Sequence, residues 1–148
     1  MTNTRVGMID ITAKNKTQRR AVAEVYIVGQ ESTLDRIDAG DTPKGEVYPV
    51  ARAAGIMAAK STHQVLPHCH PLAVTDARVG FERQAGRLQI TVEITALDRT
   101  GVEMEALYAA SVVALTIYDM LKFTDDELRM DGLRLLEKTG GKRDYRAS

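Results

Sequence analysis

Asp119 and Lys122 stand three residues apart at the end of an uncharged run, and Glu105 lies just before that run begins. A carboxylate and an ammonium at i and i+3 share one helix face, so the pair could work as acid and base. The plainer alternative is a solvated helix pair adding about 0.2–0.5 kcal/mol. At about 100° per residue, Glu105, Val112, Thr116 and Asp119 fall in one stripe, so a carboxylate from each end points the same way. A last-turn carboxylate meets the negative end of the helix dipole; if desolvated, Asp119 is expected to have a raised pKa and to suit proton donation, with Lys122 balancing its charge.

A second chemical stretch is Leu66-Pro67-His68-Cys69-His70-Pro71-Leu72. The residue before a proline is pushed out of the helical region, so the segment is expected to be extended and rigid, with His68 and His70 on one side. Two imidazoles and a thiol could bind a metal, but structural zinc uses four spaced ligands, and only His63 is left to add. The remaining readings are an imidazole held for proton transfer or hydrogen bonding, or histidines that simply pack. Basic residues gather at Lys14, Lys16, Arg19 and Arg20, and lysines sit in glycine loops at Lys44-Gly45 and Gly140-Gly141-Lys142.

These groups need elements to place them. Thr100 to Lys122 reads as one long helix, opened by a Thr100/Glu103 capping box and apolar on every side from Ala106 to Tyr118. The uncharged run is shorter than a bilayer span of ~20 residues, so a buried core or interface helix is expected. Met8 to Lys14 alternates enough to be extended, and Arg20 to Val28 is rich in Val, Ile and Tyr and reads as a strand. Glu31 to Ala39 suits a short helix capped by Ser32 or Thr33, and a longer one is expected from near Glu46 to about Val65. In the latter, Gly55 implies close packing. Thr75–Arg83 and Arg87–Leu97 form a hairpin about Gln84-Ala85-Gly86, Asp125-Asp126-Glu127 an exposed acidic turn, and Gly132–Glu137 a last strand.

The order strand, helix, strand, strand, helix, strand is the ferredoxin-like split βαβ arrangement, an α+β fold with two main helices on one face of an antiparallel sheet. Its 148 residues suit a single domain, 1–148, with flexible segments at about 1–7 and 139–148. Lys plus Arg equals Asp plus Glu at 20 each, which disfavours a dedicated nucleic-acid or membrane surface. One cysteine and no signal-peptide pattern point to the cytoplasm. The all-round apolar helix and the open sheet face together imply a homo-oligomer.

Several blocks are more specific: Met-Ile-Asp-Ile-Thr-Ala-Lys at 8–14, Lys-Gly-Glu-Val at 44–47, Ala-Gly-Ile-Met-Ala-Ala-Lys at 54–60, Cys-His-Pro-Leu at 69–72, Thr-Gly-Val-Glu-Met-Glu-Ala-Leu at 100–107, Tyr-Asp-Met at 118–120 and Gly-Gly-Lys at 140–142. In this order they resemble the cyclic pyranopterin monophosphate synthase family, molybdenum cofactor biosynthesis protein C, from about Met8 to Lys142. The resemblance implies a lyase-type enzyme. It would convert 3′,8-cyclo-7,8-dihydroguanosine 5′-triphosphate into cyclic pyranopterin monophosphate, releasing pyrophosphate without metal or other cofactor. It also implies a ferredoxin-like hexamer built as a trimer of dimers, with its site at a dimer interface.

By the same resemblance, Asp119 and Lys122 are catalytic, joined by Lys44 and His70. His68, Cys69 and His70 form a substrate-binding triplet, Met104 and Glu105 with neighbouring Glu103 bind at a second place, and Asp10, Lys14, Arg19, Lys60 and Lys142 line or close the pocket. Cationic side chains suit a triphosphate and the charge that develops as pyrophosphate departs. His68, Tyr108 and Arg143-Asp144 depart from the family's usual residues. Two rival classes are a metal-binding protein using the His-Cys-His stretch and a non-catalytic oligomeric nucleotide-binding module of the same fold.

Overall fold

Every second residue of β1 (Thr17–Val28) from Arg19 to Ile27 is buried, and the rest of the sheet is laid against this strand. A computed structural model describes residues 6–148, and within it β1 lies between β3 (Arg87–Asp98) and β4 (Arg129–Thr139), antiparallel to both. β2 (Val74–Gln84) pairs with β3 on one side, and β5 (Tyr145–Arg146) pairs with β4 on the other, giving the order β2-β3-β1-β4-β5. β1 and β2 are thus separated by β3, the split βαβ pattern expected of a ferredoxin-like α+β fold. Among the described residues three helices complete it: α1 (Glu31–Ala39), α2 (Val47–Val65) and α3 (Glu103–Leu121).

The core lies between one sheet face and α2 and α3. Ala21, Ala23, Val25 and Ile27 of β1 and Leu88, Ile90, Val92, Ile94 and Ala96 of β3 are buried there, as the period of two requires. α3 meets them with Ala106, Ala109, Ala110, Val113, Ala114 and Ile117, small side chains that allow close approach. α2 comes closer still: a Cβ at Gly55 would sit 2.5 Å from the Val113 side chain, which is the packing reason this helical glycine implied. α3 is apolar and long enough to cross a membrane by composition, yet here it is the core helix of the fold.

The opposite sheet face, which the sequence left open, carries a polar network. Glu24 is only 3% exposed there, and its carboxylate accepts bonds from Arg134 Nε (2.6 Å), Gln89 Nε2 (2.9 Å) and the Tyr26 hydroxyl (3.1 Å). Arg20 pairs with Glu93 and lies 3.7 Å from Glu137. Exposed apolar side chains are found elsewhere, on α2 at Val50 and Met57 and in a patch where Leu115 of α3 adjoins Met130 and Leu133 of β4. That is where a partner could bury surface.

Several local expectations need correction. Met8–Lys14 forms no strand; it is irregular and turns at Thr12-Ala13, where Asp10 accepts the Thr12 N–H and hydroxyl. β1 begins earlier, at Thr17, and β4 extends beyond both predicted ends because each finds a partner register along β1. The tail expected to be flexible from 139 turns at Gly140 and carries β5, while 1–5 of the N-terminal segment lie outside the described residues. No capping box forms: α3 starts at Glu103 after Val102, and the Glu103 carboxylate turns to Lys138 Nζ at 3.2 Å.

α1 also lacks a cap from Ser32 or Thr33. The start of α1 is instead tied down by Asp125, which the sequence placed in an exposed turn. Asp125 is buried, and its Oδ2 accepts the Gln30 N–H (2.9 Å) and the Thr33 hydroxyl (3.1 Å), while Oδ1 accepts the Glu127 N–H (2.9 Å). These bonds, the Gln30 amide foremost, hold its pKa below the ordinary carboxylate value. Asp125→Ala leaves buried donors unpaired and is expected to cost about 1–3 kcal/mol by chemical denaturation. Because the folded pKa is depressed, the native carboxylate contributes above the unfolded pKa, and the gap between wild type and variant should narrow as pH falls through the folded value.

Candidate active site

Two adjoining clefts open at the N-terminal end of α3. One, of about 250 Å³, is lined by Lys14, Arg19, Arg20, Lys138, Lys142 and Arg143 together with Thr100 to Glu103 and the 139–141 turn. Six cations face a single acidic side chain, Glu103. Gly140 makes this wall possible: its φ is +93°, and a Cβ there would overlap the Gln18 carbonyl. Its carbonyl accepts the Thr17 hydroxyl at 2.8 Å, and Gly141 lies against Arg19, so the Gly-Gly pair folds Lys142 over the start of β1. Arg20 and Lys138 are held by Glu93 and Glu103; among the described residues Lys14, Lys142 and Arg143 make no ion pair.

The other cleft, about 560 Å³, is mostly apolar. Ile9, Ile11, Leu66, Pro67, Leu72 and Met104 line it, with His68, Cys69, His70 and Glu105 as its polar groups, and it shares Lys14, Thr100, Gly101 and Glu103 with the first. The proline-bracketed segment leaves α2 with Leu66 extended, as expected before Pro67, but it is not extended throughout: it turns at Pro67-His68, where the Cys69 N–H donates to the Leu66 carbonyl at 3.1 Å. His70 Nε2 lies 2.7 Å from the Ile9 carbonyl, so this nitrogen donates and the N-terminal segment becomes a wall of the cleft.

Glu105 is 2% exposed, and its Oε1 has no hydrogen-bond partner among the described residues. Its Oε2 accepts the Cys69 thiol at 3.5 Å. Burial pushes the Glu105 carboxyl above its ordinary range, with the charges of Glu103 and Asp98 adding to the effect. Burial and the neighbouring Glu105 push the Cys69 thiol up to about 11. An orphaned buried oxygen beside an apolar cleft is suited to a ligand donor, because a bound N–H would remove the cost of leaving it unpaired.

Asp119 lies elsewhere. It follows Glu105 on the same helix. With a rise of about 1.5 Å per residue, the two are separated by roughly 21 Å along the axis of α3. There Asp119 forms a separate cluster: Lys44 Nζ lies 2.8 Å from Oδ2 and Lys122 Nζ 3.2 Å from Oδ1. Its pKa is lowered, by Lys44 first and Lys122 next, which corrects the raised value expected from burial. Asp119 is exposed, so the two ammoniums outweigh desolvation; the buried carboxyl of the stripe is Glu105 alone. Lys60 is exposed on α2 and lines neither cleft, and Asp10 lines neither but holds the turn that presents Lys14. Arg20, Lys138, Thr100 and Gly101 were not chosen from sequence as pocket residues; for Arg20 the signal was its place in the basic cluster.

The MoaC family model matches residues 8–141. The chain belongs to the MoaC family. Among relatives, it is 50% identical to a cyclic pyranopterin monophosphate synthase of Listeria welshimeri over 139 residues, covering 93% of this chain and 87% of the relative. Those of Desulfitobacterium hafniense and Corynebacterium efficiens are 50% and 47% identical, covering 93% and 91% of this chain and 85% and 87% of theirs. In this MoaC-family chain the Cys69–Glu105 contact is open to direct test. The Cys69 thiol should stay protonated at pH 8, with thiolate absorbance appearing near pH 11. Glu105→Gln should move that titration to lower pH by removing the adjacent negative charge.

Proposed function

We propose that this protein is a cyclic pyranopterin monophosphate synthase of molybdenum cofactor biosynthesis, converting the cyclised guanosine triphosphate derivative and releasing pyrophosphate. The observation that carries the reading is the pair of adjoining clefts, one basic and one apolar with a buried carboxyl, joined through Lys14, Thr100, Gly101 and Glu103. A substrate with several phosphate charges and a planar heterocycle needs both halves. Lys14, Arg19 and Lys142 receive the phosphates and stabilise the charge that grows as pyrophosphate leaves. Met104 and the apolar wall take the rings, while Glu105, Cys69, His68 and His70 supply hydrogen bonds at their polar edge.

Ring opening and closure require protons to be moved at nitrogen and carbon, the work of Asp119, Lys122 and Lys44. The lowered Asp119 pKa makes it a carboxylate at neutral pH, fit to accept a proton, while an ammonium donates one. Since about 21 Å of helix separates Asp119 from Glu105, the reading requires a second copy of the chain to bring the acid–base cluster to the clefts. An isologous, antiparallel meeting of two α3 helices would do so twice, with exposed Leu115 in the contact surface. A trimer of such dimers and a cytoplasmic location complete the proposal. Lys60 has no assigned contact within one chain.

Supplying the cyclised triphosphate and following pterin fluorescence after oxidation tests the reaction. Asp119→Asn and Glu105→Gln should each lose most turnover while keeping the fold. Mixing the two after reversible dissociation should restore about a quarter of wild-type activity, the statistical share of intact sites in a two-fold dimer. No recovery from verified mixed dimers would reject the shared site. Pyrophosphate affinity, by calorimetry, should fall with rising salt and be weaker in Lys142→Ala at unchanged melting temperature, because an exposed loop lysine contributes little to folding.

A further inference from the structure

Phe123 follows Lys122 directly and is 75% exposed, although Leu121 and Leu128 on either side are buried. Its ring is not idle in solvent: Lys122 Nζ lies 5.2 Å and Lys44 Nζ 5.7 Å from the ring centroid. Both distances are inside the reach of about 6 Å at which an aromatic face attracts an ammonium. The same two ammoniums each take one oxygen of Asp119, so a single carboxylate and a single ring share two cations. We infer that Phe123 is a positioning residue, a ring that holds Lys44 and Lys122 in place beside the Asp119 carboxylate.

The geometry gives the ring a task the carboxylate cannot do alone. The Lys44, Lys122 and Asp119 side chains are all well exposed to solvent. Ion pairs at such exposure hold long, flexible side chains loosely. Two like charges drawn to one carboxylate also repel each other. A ring attracts both through its electron-rich face and offers apolar surface to their methylene stems. Phe123 itself is kept from turning inward. The Thr124 N–H (2.9 Å) and hydroxyl (2.7 Å) both donate to the Leu121 carbonyl, and Asp125 anchors the next residue to the start of α1. Among the described residues, Asp119 is the only carboxylate paired with either lysine, and its backbone carbonyl accepts a second bond from Lys44 Nζ at 3.2 Å; the ring adds a restraint that both lysines share.

The inference rests on the acid–base role given to Asp119 and Lys122, and its first test does not depend on turnover. In wild type, the ε-methylene protons of Lys44 and Lys122 should show upfield ring-current shifts by NMR. These should vanish in Phe123→Leu and return in Phe123→Tyr. Turnover of the cyclised triphosphate should fall in Phe123→Leu by about two- to five-fold for each ammonium released and recover in Phe123→Tyr, with equal melting temperatures in all three proteins. Ordinary lysine shifts in wild type, or a loss that tyrosine does not restore, would overturn the role. Absence of turnover in wild type would instead reject the proposed reaction and leave the NMR comparison to decide Phe123.

Discussion

The close packing of α3 is the constraint on which the rest of the structure depends. Its Ala- and Val-rich sides lie against β1, β3 and β4 and against α2, where Gly55 has no side chain to hold the helices apart. A rigid 19-residue rod follows, and whatever chemistry its two ends carry is kept apart by its length. The N-terminal end faces the clefts, and the C-terminal end holds Asp119, Lys122 and Phe123. The helix therefore sets both the core and the spacing of the chemistry. That spacing is the physical reason to propose that two copies meet at one site.

The two carboxyls on this rod have opposite electrostatic settings. Glu105 is sealed from water with only a weak thiol donor beside it, so its charged form is disfavoured. Asp119 sits in water between two ammoniums, so its charged form is favoured. Environments that push two titratable groups apart allow one site to hold a proton and an empty acceptor at the same pH. The basic cleft adds a third setting: positive charge only partly balanced by its own acids, with Gly140 bending the chain so that Lys142 joins it. Asp125 connects these ends to the scaffold, since the loop that follows α3 is pinned to the start of α1.

Much of the architecture was legible because it depends on local patterns. Alternation fixed the faces of β1 and β3, Ala85-Gly86 with φ of +72° at Gly86 fixed the hairpin, and the run of small apolar residues marked α3 as a core helix. Of the stretches singled out for chemistry, His68-Cys69-His70 lines the apolar cleft, and Gly141-Lys142 lines the basic one. The capping failures share one cause. Capping patterns at Thr100 and at Ser32 or Thr33 were read from neighbours in sequence, whereas the bonds are made by residues distant in sequence: Asp125 reaches α1, and Glu103 turns to Lys138.

The sequence by itself determined which residue types are present, the period of each strand and helix, the family membership and the chemical character of each cluster. These follow from side-chain identity and short-range spacing. Only the tertiary structure decided which carboxyl is buried. Helical phase put Glu105 and Asp119 in one stripe, but burial depends on what packs at each end: the His-Cys-His loop covers Glu105, and open solvent with Lys44 surrounds Asp119. It likewise decided that the bare sheet face is a satisfied polar network and that Phe123 stays outside beside two lysines. Such outcomes arise from contacts between residues far apart in the chain, which spacing along the sequence does not encode.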